Sequence, residues 1–171
     1  VTIQLKEGRL AGQQLEGRAP RIAVDPGARI EGHVALVVRN DMGANAIAPL
    51  AGTSTWGEPE RAVWKIDGWV RTGMTTHDVA VDLTAPRAPG TYHIVFALAG
   101  TYNVAQIMSG THPAWAADWR RGNVVARQTP DVFWEAMEQG WVPFAWNSPE
   151  GPKHGTMAMA AIEVEIGNLG R

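Results

Sequence analysis

From Tyr92 to Leu98 the chain alternates without a slip. Tyr92, Ile94, Phe96 and Leu98 fall on one face, and Thr91, His93, Val95 and Ala97 on the other. A period of two in β-branched and aromatic residues specifies an extended strand, because a helix would repeat its apolar stripe every 3.6 residues. Val95 and Ala97 make the second face apolar as well, so this strand is expected at the centre of a sheet, covered on both sides. The turn cluster Ala85-Pro86-Arg87-Ala88-Pro89-Gly90 separates it from an upstream run. In that run Val79, Val81 and Leu83 alternate with Asp78, Ala80 and Asp82. Downstream, Gly100 breaks the pattern, and Val104 to Met108 reads as the second arm of a core hairpin.

The same signature recurs along the chain. Val1, Ile3 and Leu5 alternate with Thr2, Gln4 and Lys6, a first strand ending at Glu7-Gly8 and followed by a glycine-rich connector to Pro20. Ile22 to Val24 is a short extended piece closed by the turn Asp25-Pro26-Gly27. Ile30, Gly32, Val34, Leu36 and Val38 point one way, while Arg29, Glu31, His33 and Arg39 point the other. Residues 41–62 read as irregular. Trp64, Ile66 and Val70 share one face of a strand over 63–70, with Gly68 weakening its middle. A last strand sets Ala160, Ile162, Val164 and Ile166 inward and Glu163 and Glu165 outward.

One helix is signalled, near 130–139. Thr129 is the N-cap, Pro130 falls at the first helical position, and Gly140 stands just past the end. Val132, Phe133, Ala136 and Met137 form its apolar stripe. Trp134 lies roughly 130° from the centre of that stripe at 100° per residue, so it is expected at the edge or outside. Strands without β-α-β alternation, plus frequent turns from 19 Gly and 11 Pro, predict an all-β fold. The expected form is an antiparallel β-sandwich, immunoglobulin-like or jelly-roll, with this one short helix. A length of 171 residues fits a single domain over 1–171. A Trp-rich loop and helix insertion occupies about 110–155.

Bulk properties exclude several classes. A net charge of −2 with no basic stripe leaves nothing to hold a phosphate backbone, so nucleic acid is not an expected partner. No apolar run reaches the ~18 residues of a membrane helix. No basic segment followed by an apolar one opens the chain, so no signal peptide is visible. The start at Val1 suggests a processed form or a fragment of something longer. The absence of cysteine removes disulfides, thiol nucleophiles and thiolate zinc sites.

Tryptophan is the outlier, with 8 Trp against 2 Tyr and 3 Phe. Five of them fall in the insertion. There Trp115, Trp119, Trp134 and Trp146, with Asp118, Asn123 and Asn147, supply indole faces for sugar stacking and polar groups for hydroxyls. The bland alternative is that these rings close the open end of the sandwich and bury against the helix. Five histidines, at 33, 77, 93, 112 and 154, are scattered, and neither a His-Glu-x-x-His nor a cupin-type pair is present. His33 and His93 fall on outward strand faces, where a solvated role accounts for them. Carboxylates at Glu135, Glu138, Asp78 and Asp82 could serve glycoside hydrolysis only within a cleft, and their spacing shows none. Asp25 and the Asp41 loop offer oxygens for a structural calcium without matching an EF-hand. There is no nucleophile elbow, and Gly52–Gly57 lacks the lysine of a phosphate loop.

At DLTAP and APGTYHIVFAL the sequence resembles the late strands of bacterial secreted β-sandwich modules, immunoglobulin-like and CARDB-like. These accompany glycosidases, adhesins and cell-surface proteins. The likeness covers about a quarter of the chain. It implies an extracellular, non-catalytic module that binds glycan or protein, and assigns no site residue. The functional expectation is therefore a secreted or cell-surface binding module recognising polysaccharide or a surface glycan. Its site would be Trp115, Asp118, Trp119, Asn123, Trp134 and Trp146. The rival is a structural subunit of an adhesin, filament or surface layer that self-associates through edge strands. A metal-dependent enzyme using dispersed histidines is a third reading.

Overall fold

The computed structural model describes residues 2–41, 47–53, 55–57, 62–66, 70–100, 124–125, 144–148, 151–155 and 159–167. Among these residues the chain is all-β, with no helix. The helix expected over 130–139 lies outside the described residues, as does the expected arm Val104–Met108.

The first sheet has four strands in the order β2-β1-β4-β7: β1 (Thr2–Leu10), β2 (Gln13–Gln14), β4 (Arg29–Asn40) and β7 (Gly73–Thr84). All of its pairings are antiparallel. The second sheet has six strands in the order β3-β12-β8-β5-β6-β9. They are β3 (Arg21–Val24), β5 (Ile47–Gly52), β6 (Ala62–Lys65), β8 (Gly90–Gly100), β9 (Val124–Val125) and β12 (Met159–Ile166). Here β3 runs parallel to β12 and the rest is antiparallel. A separate hairpin joins β10 (Phe144–Ser148) to β11 (Gly151–Gly155).

Both sheets contribute to one buried cluster. Ile3, Ile30, Val34, Leu36, Val79 and Val81 come from the first; Ile22, Ile94, Phe96, Leu98, Ile162 and Val164 from the second. These are the inward residues that the alternation selects, while Asp78, Asp82, His33 and Glu165 are exposed. Each fully buried Leu, Ile or Phe stabilises the fold by about 1.5–3 kcal/mol relative to exposure. The central position expected for the Tyr92–Leu98 run is found: β8 lies between β12 and β5, and Val95 on its second face is 1% exposed. Both of its described neighbours are distant in sequence.

Three local readings are corrected. The first strand does not stop at Glu7-Gly8 but continues to Leu10. A bulge between Leu5 and Glu7 shifts the register by one, so the inward positions change from Ile3 and Leu5 to Gly8 and Leu10. The glycine-rich connector contains a two-residue hairpin turn, Ala11-Gly12, with φ of 49° and 75°. Positive φ at both centres is the primed geometry that matches strand twist. Residues 41–62 are not wholly irregular, since β5 occupies 47–52 between two neighbours despite Pro49. Pro49 is tolerated because its carbonyl accepts the N–H of Ile66, just past the end of β6. Its missing donor would point to the same place, where no strand neighbour is lost.

Side chains complete ladders where strands end. The Gln13 carboxamide donates to the Ala23 carbonyl (2.7 Å) and accepts from the Ala23 N–H (3.1 Å), filling the open edge of β3 from the other sheet. Beyond the end of β5, the Thr55 hydroxyl accepts the N–H of His93 (3.0 Å) on β8. At the start of β8, the Tyr92 hydroxyl donates to the Ala88 carbonyl four residues back (2.9 Å) and ties the turn to the strand.

Candidate functional site

Strand registers gather the long connections at one end of the sheets. In the first sheet Asn40 lies opposite Gly73. In the second, Ile47 lies opposite Gly100 and Met159 opposite Ala97. The link 41–46 joins Asn40 to Ile47, and the link 66–72 joins Lys65 to Gly73, so the two sheet ends are the same end. From here the chain leaves at Gly100 and returns at Met159. The Trp-rich segment is therefore an insertion between β8 and β12, anchored at both feet on adjacent strands.

Of the six candidate residues, Trp115, Asp118, Trp119, Asn123 and Trp134 lie outside the described residues. Trp146 stands in β10, in register with Lys153 of β11, and Asn147 follows it opposite Pro152. β9 returns the insertion to the sheet, pairing Val124 with Val63 and Val125 with Ala62. The insertion is thus tied to the far edge of the second sheet as well as to its feet.

Two other tryptophans are described, and both belong to the core: Trp56 is 2% exposed and Trp64 7%. The Trp56 ring meets Tyr92 edge to face, centroids 6.5 Å apart at 83°. Its indole N–H is buried with no hydrogen-bond partner among the described residues. These two indoles are packing groups and not a ligand platform. Trp64, Ile66 and Val70, expected on one face, are all buried.

The histidines divide by environment. His33 is exposed and His93 half-buried. His77, on the inward face of β7, is 7% exposed with its Nε2 3.1 Å from the Thr75 hydroxyl. His154 lies in β11, and His112 is outside the described residues. Among the described residues no group of three or more His, Asp or Glu could hold a metal. The Asp41 carboxylate, weighed for calcium, is engaged by Arg39 Nε at 2.9 Å. The Asp82 carboxylate accepts two hydrogen bonds from Arg29, each 2.9 Å. That bonding, opposed by desolvation and aided by the smaller effect of the guanidinium charge, holds Asp82 below its ordinary 3.8. An ionised, paired, exposed carboxylate is poorly suited to general acid work.

Two clefts were not foreseen. One, of about 520 Å³, lies between β1 and β12 beneath the 17–20 loop, floored by Ile3, Leu5, Pro20 and Ala160 with Arg18 and Gln4 at its rim. The other, also about 520 Å³, is an open groove on the outer face of the first sheet, lined by Glu7, Arg9, Gln14, His33 and Asp78 among others. No residue pattern announces this groove, which depends on the register that brings β1, β4 and β7 together.

The chain matches no protein family, no curated protein and no solved structure.

Proposed function

We propose that the two sheets are the halves of an immunoglobulin-like β-sandwich, and that the protein is a non-catalytic extracellular module recognising carbohydrate through its inserted tryptophans. The fold reading draws on three features. β1-β4-β7 and β12-β8-β5-β6 follow the strand orders of the two immunoglobulin sheets, and the parallel pair β3–β12 suits a first strand that switches sheets. Tyr92, near the start of the penultimate core strand, bonds its hydroxyl to upstream backbone, as the tyrosine corner of such domains does. The bacterial immunoglobulin-like or CARDB-like resemblance agrees with this.

The observation that carries the functional reading is the placement of the insertion. It springs from the end where the connections 41–46 and 66–72 also gather, the end at which variable immunoglobulin domains carry their recognition loops. A two-sheet scaffold that carries a Trp-rich segment between β8 and β12 is suited to stacking indoles on pyranose rings, with Asp118 and Asn123 bonding hydroxyls. Burial of Trp56 and Trp64 leaves the emission of the remaining tryptophans as the reporter of such binding. Titration with soluble polysaccharides of differing backbone should shift Trp emission and slow migration in affinity electrophoresis. Trp115→Ala, Trp119→Ala, Trp134→Ala and Trp146→Ala should each weaken retention, by roughly 1–3 kcal/mol for a stacking residue. Retention by no polysaccharide, or retention untouched by all four substitutions, sinks the reading.

A structural subunit of an adhesin, filament or surface layer is the second reading. The observation favouring it is the length of the β7 edge, which no strand pairs among the described residues.

A further inference from the structure

The second reading can be sharpened, independently of sugar recognition, from the hydrogen-bond parity of β7. Beyond the last residues of the β4–β7 ladder, the Ala85 N–H donates to the Ala28 carbonyl at 2.8 Å. The register runs without a shift from Arg29–Thr84 to Asn40–Gly73. In an antiparallel pair, hydrogen-bonded and non-bonded pairs alternate strictly. Since Ala28–Ala85 is a bonded pair, the odd-numbered residues of β7 bond to β4. The even-numbered residues, Met74, Thr76, Asp78, Ala80, Asp82 and Thr84, therefore aim their N–H and C=O groups away from the sheet. Among the described residues no strand meets them.

The other strands that end these two sheets are shorter, and β1, paired with β2 only at Arg9 and Leu10, leaves the shorter stretch Thr2–Glu7 unpaired on that side among the described residues. β2 and β9 are two residues long, and β3 has its edge occupied at Ala23 by the Gln13 carboxamide. β7 has twelve residues with no proline, no lysine and no bulge, and its only charged side chains are Asp78 and Asp82. Met74, 73% exposed, stands at its start.

We infer that β7 pairs antiparallel with β7 of a second copy of this chain, about a two-fold axis at Val79, giving a closed dimer with one continuous sheet. Of the registers that set no carboxylate opposite another, this one alone pairs all six outward-aimed residues from Met74 to Thr84. With Val79 on the axis, Met74 lies opposite Thr84, Thr76 opposite Asp82 and Asp78 opposite Ala80, each pair occurring twice and each joining outward-aimed backbone groups. No carboxylate directly faces another. A register centred on Asp78 would set two carboxylates face to face, which destabilises a strand pair. The contact is isologous and uses up the free edge of both copies, so it closes at two and builds no filament.

The test uses the full chain. Light scattering coupled to gel filtration, from micromolar to about 1 mM, should show a concentration-dependent change from monomer to dimer. Over the same range, exchange of the even-numbered β7 amides should slow at least about tenfold, while the odd-numbered amides stay protected throughout. Ala80→Pro removes only an outward N–H, and Thr76→Glu sets a carboxylate opposite Asp82 of the second copy; each should return the dimer to monomer with the fold intact. Should Ala80→Pro fail to fold, Thr76→Glu decides. The chain has no cysteine, so the double variant Asp78→Cys, Ala80→Cys reports the register by oxidising to a covalent dimer, and Ala80→Cys alone should do so far less. A monomer at every concentration overturns the inference and removes this edge from the second reading. An open polymer overturns the closed dimer while leaving that reading in place. A dimer with freely exchanging even amides, or one surviving Thr76→Glu, also overturns it.

Discussion

Gly32 shows how one residue can be required by backbone alone. Its φ is 152°, and a Cβ built there would lie 1.8 Å from the Arg9 carbonyl oxygen. That oxygen is backbone, so it cannot swing aside as a side chain would. Gly32→Ala should therefore cost at least about 3 kcal/mol, read as a lower urea midpoint at unchanged slope. A loss below about 1 kcal/mol would show that the β1–β4 backbone pair relaxes at Arg9 to accept a methyl group. In the sequence Gly32 looked like one more inward position on an alternating strand, because no pattern announces how close a neighbouring backbone comes. Asp82 gives a prediction of a different kind. Its folded value lies below 3.8, held there chiefly by the Arg29 hydrogen bonds. A depressed carboxylate stabilises the fold above the unfolded value, and that contribution fades as pH falls through the folded one. The stability gap between the parent and Asp82→Asn should thus be constant from pH 5 to 8 and shrink below about pH 4. Full exposure of the pair keeps the gap small. A gap that widens in acid would contradict the assignment.

Among the elements, those built on strict alternation were legible. β4, β7, β8 and β12 bury the residues that period two selects. β5 was missed because Ala48, Pro49, Ala51 and Gly52 carry little strand propensity; its pairing with β8 and β6 overrides composition. The second half of β1 was missed because the bulge reverses which face looks inward, which reads in a sequence as an end of the pattern. Ladder-completing side chains were invisible as well. Gln13 looks like a polar connector residue, yet its carboxamide satisfies both backbone groups of Ala23. Gln13→Leu keeps the bulk and removes both partners, so it should cost about 1–3 kcal/mol. Its signature would be faster amide exchange at Ala23, confined to β3. An unchanged exchange rate there would mean that water replaces the carboxamide at no cost.

At the scale of the molecule, the two sheets share their interior. Phe96 is fully buried in the second sheet and belongs to the same cluster as Val34 and Leu36 of the first. Phe96→Ala should remove about 3–5 kcal/mol. The loss should appear equally in the slowest-exchanging amides of β4 and of β8, since neither sheet keeps a core without the other. A loss felt only in β8 would mean that the sheets open separately.

The all-β character, the inward and outward residues of four long strands and the central place of Tyr92–Leu98 were written in the sequence by itself. Alternation is a local property, and burying one face of a strand is enough to impose it. Partner choice was not written there. That β3 lies along β12, that β5 fits between β8 and β6, and that β7 ends the first sheet depend on contacts between residues far apart in the chain. Such pairings are decided by how two apolar faces close over a shared core, and only the tertiary structure carries that information.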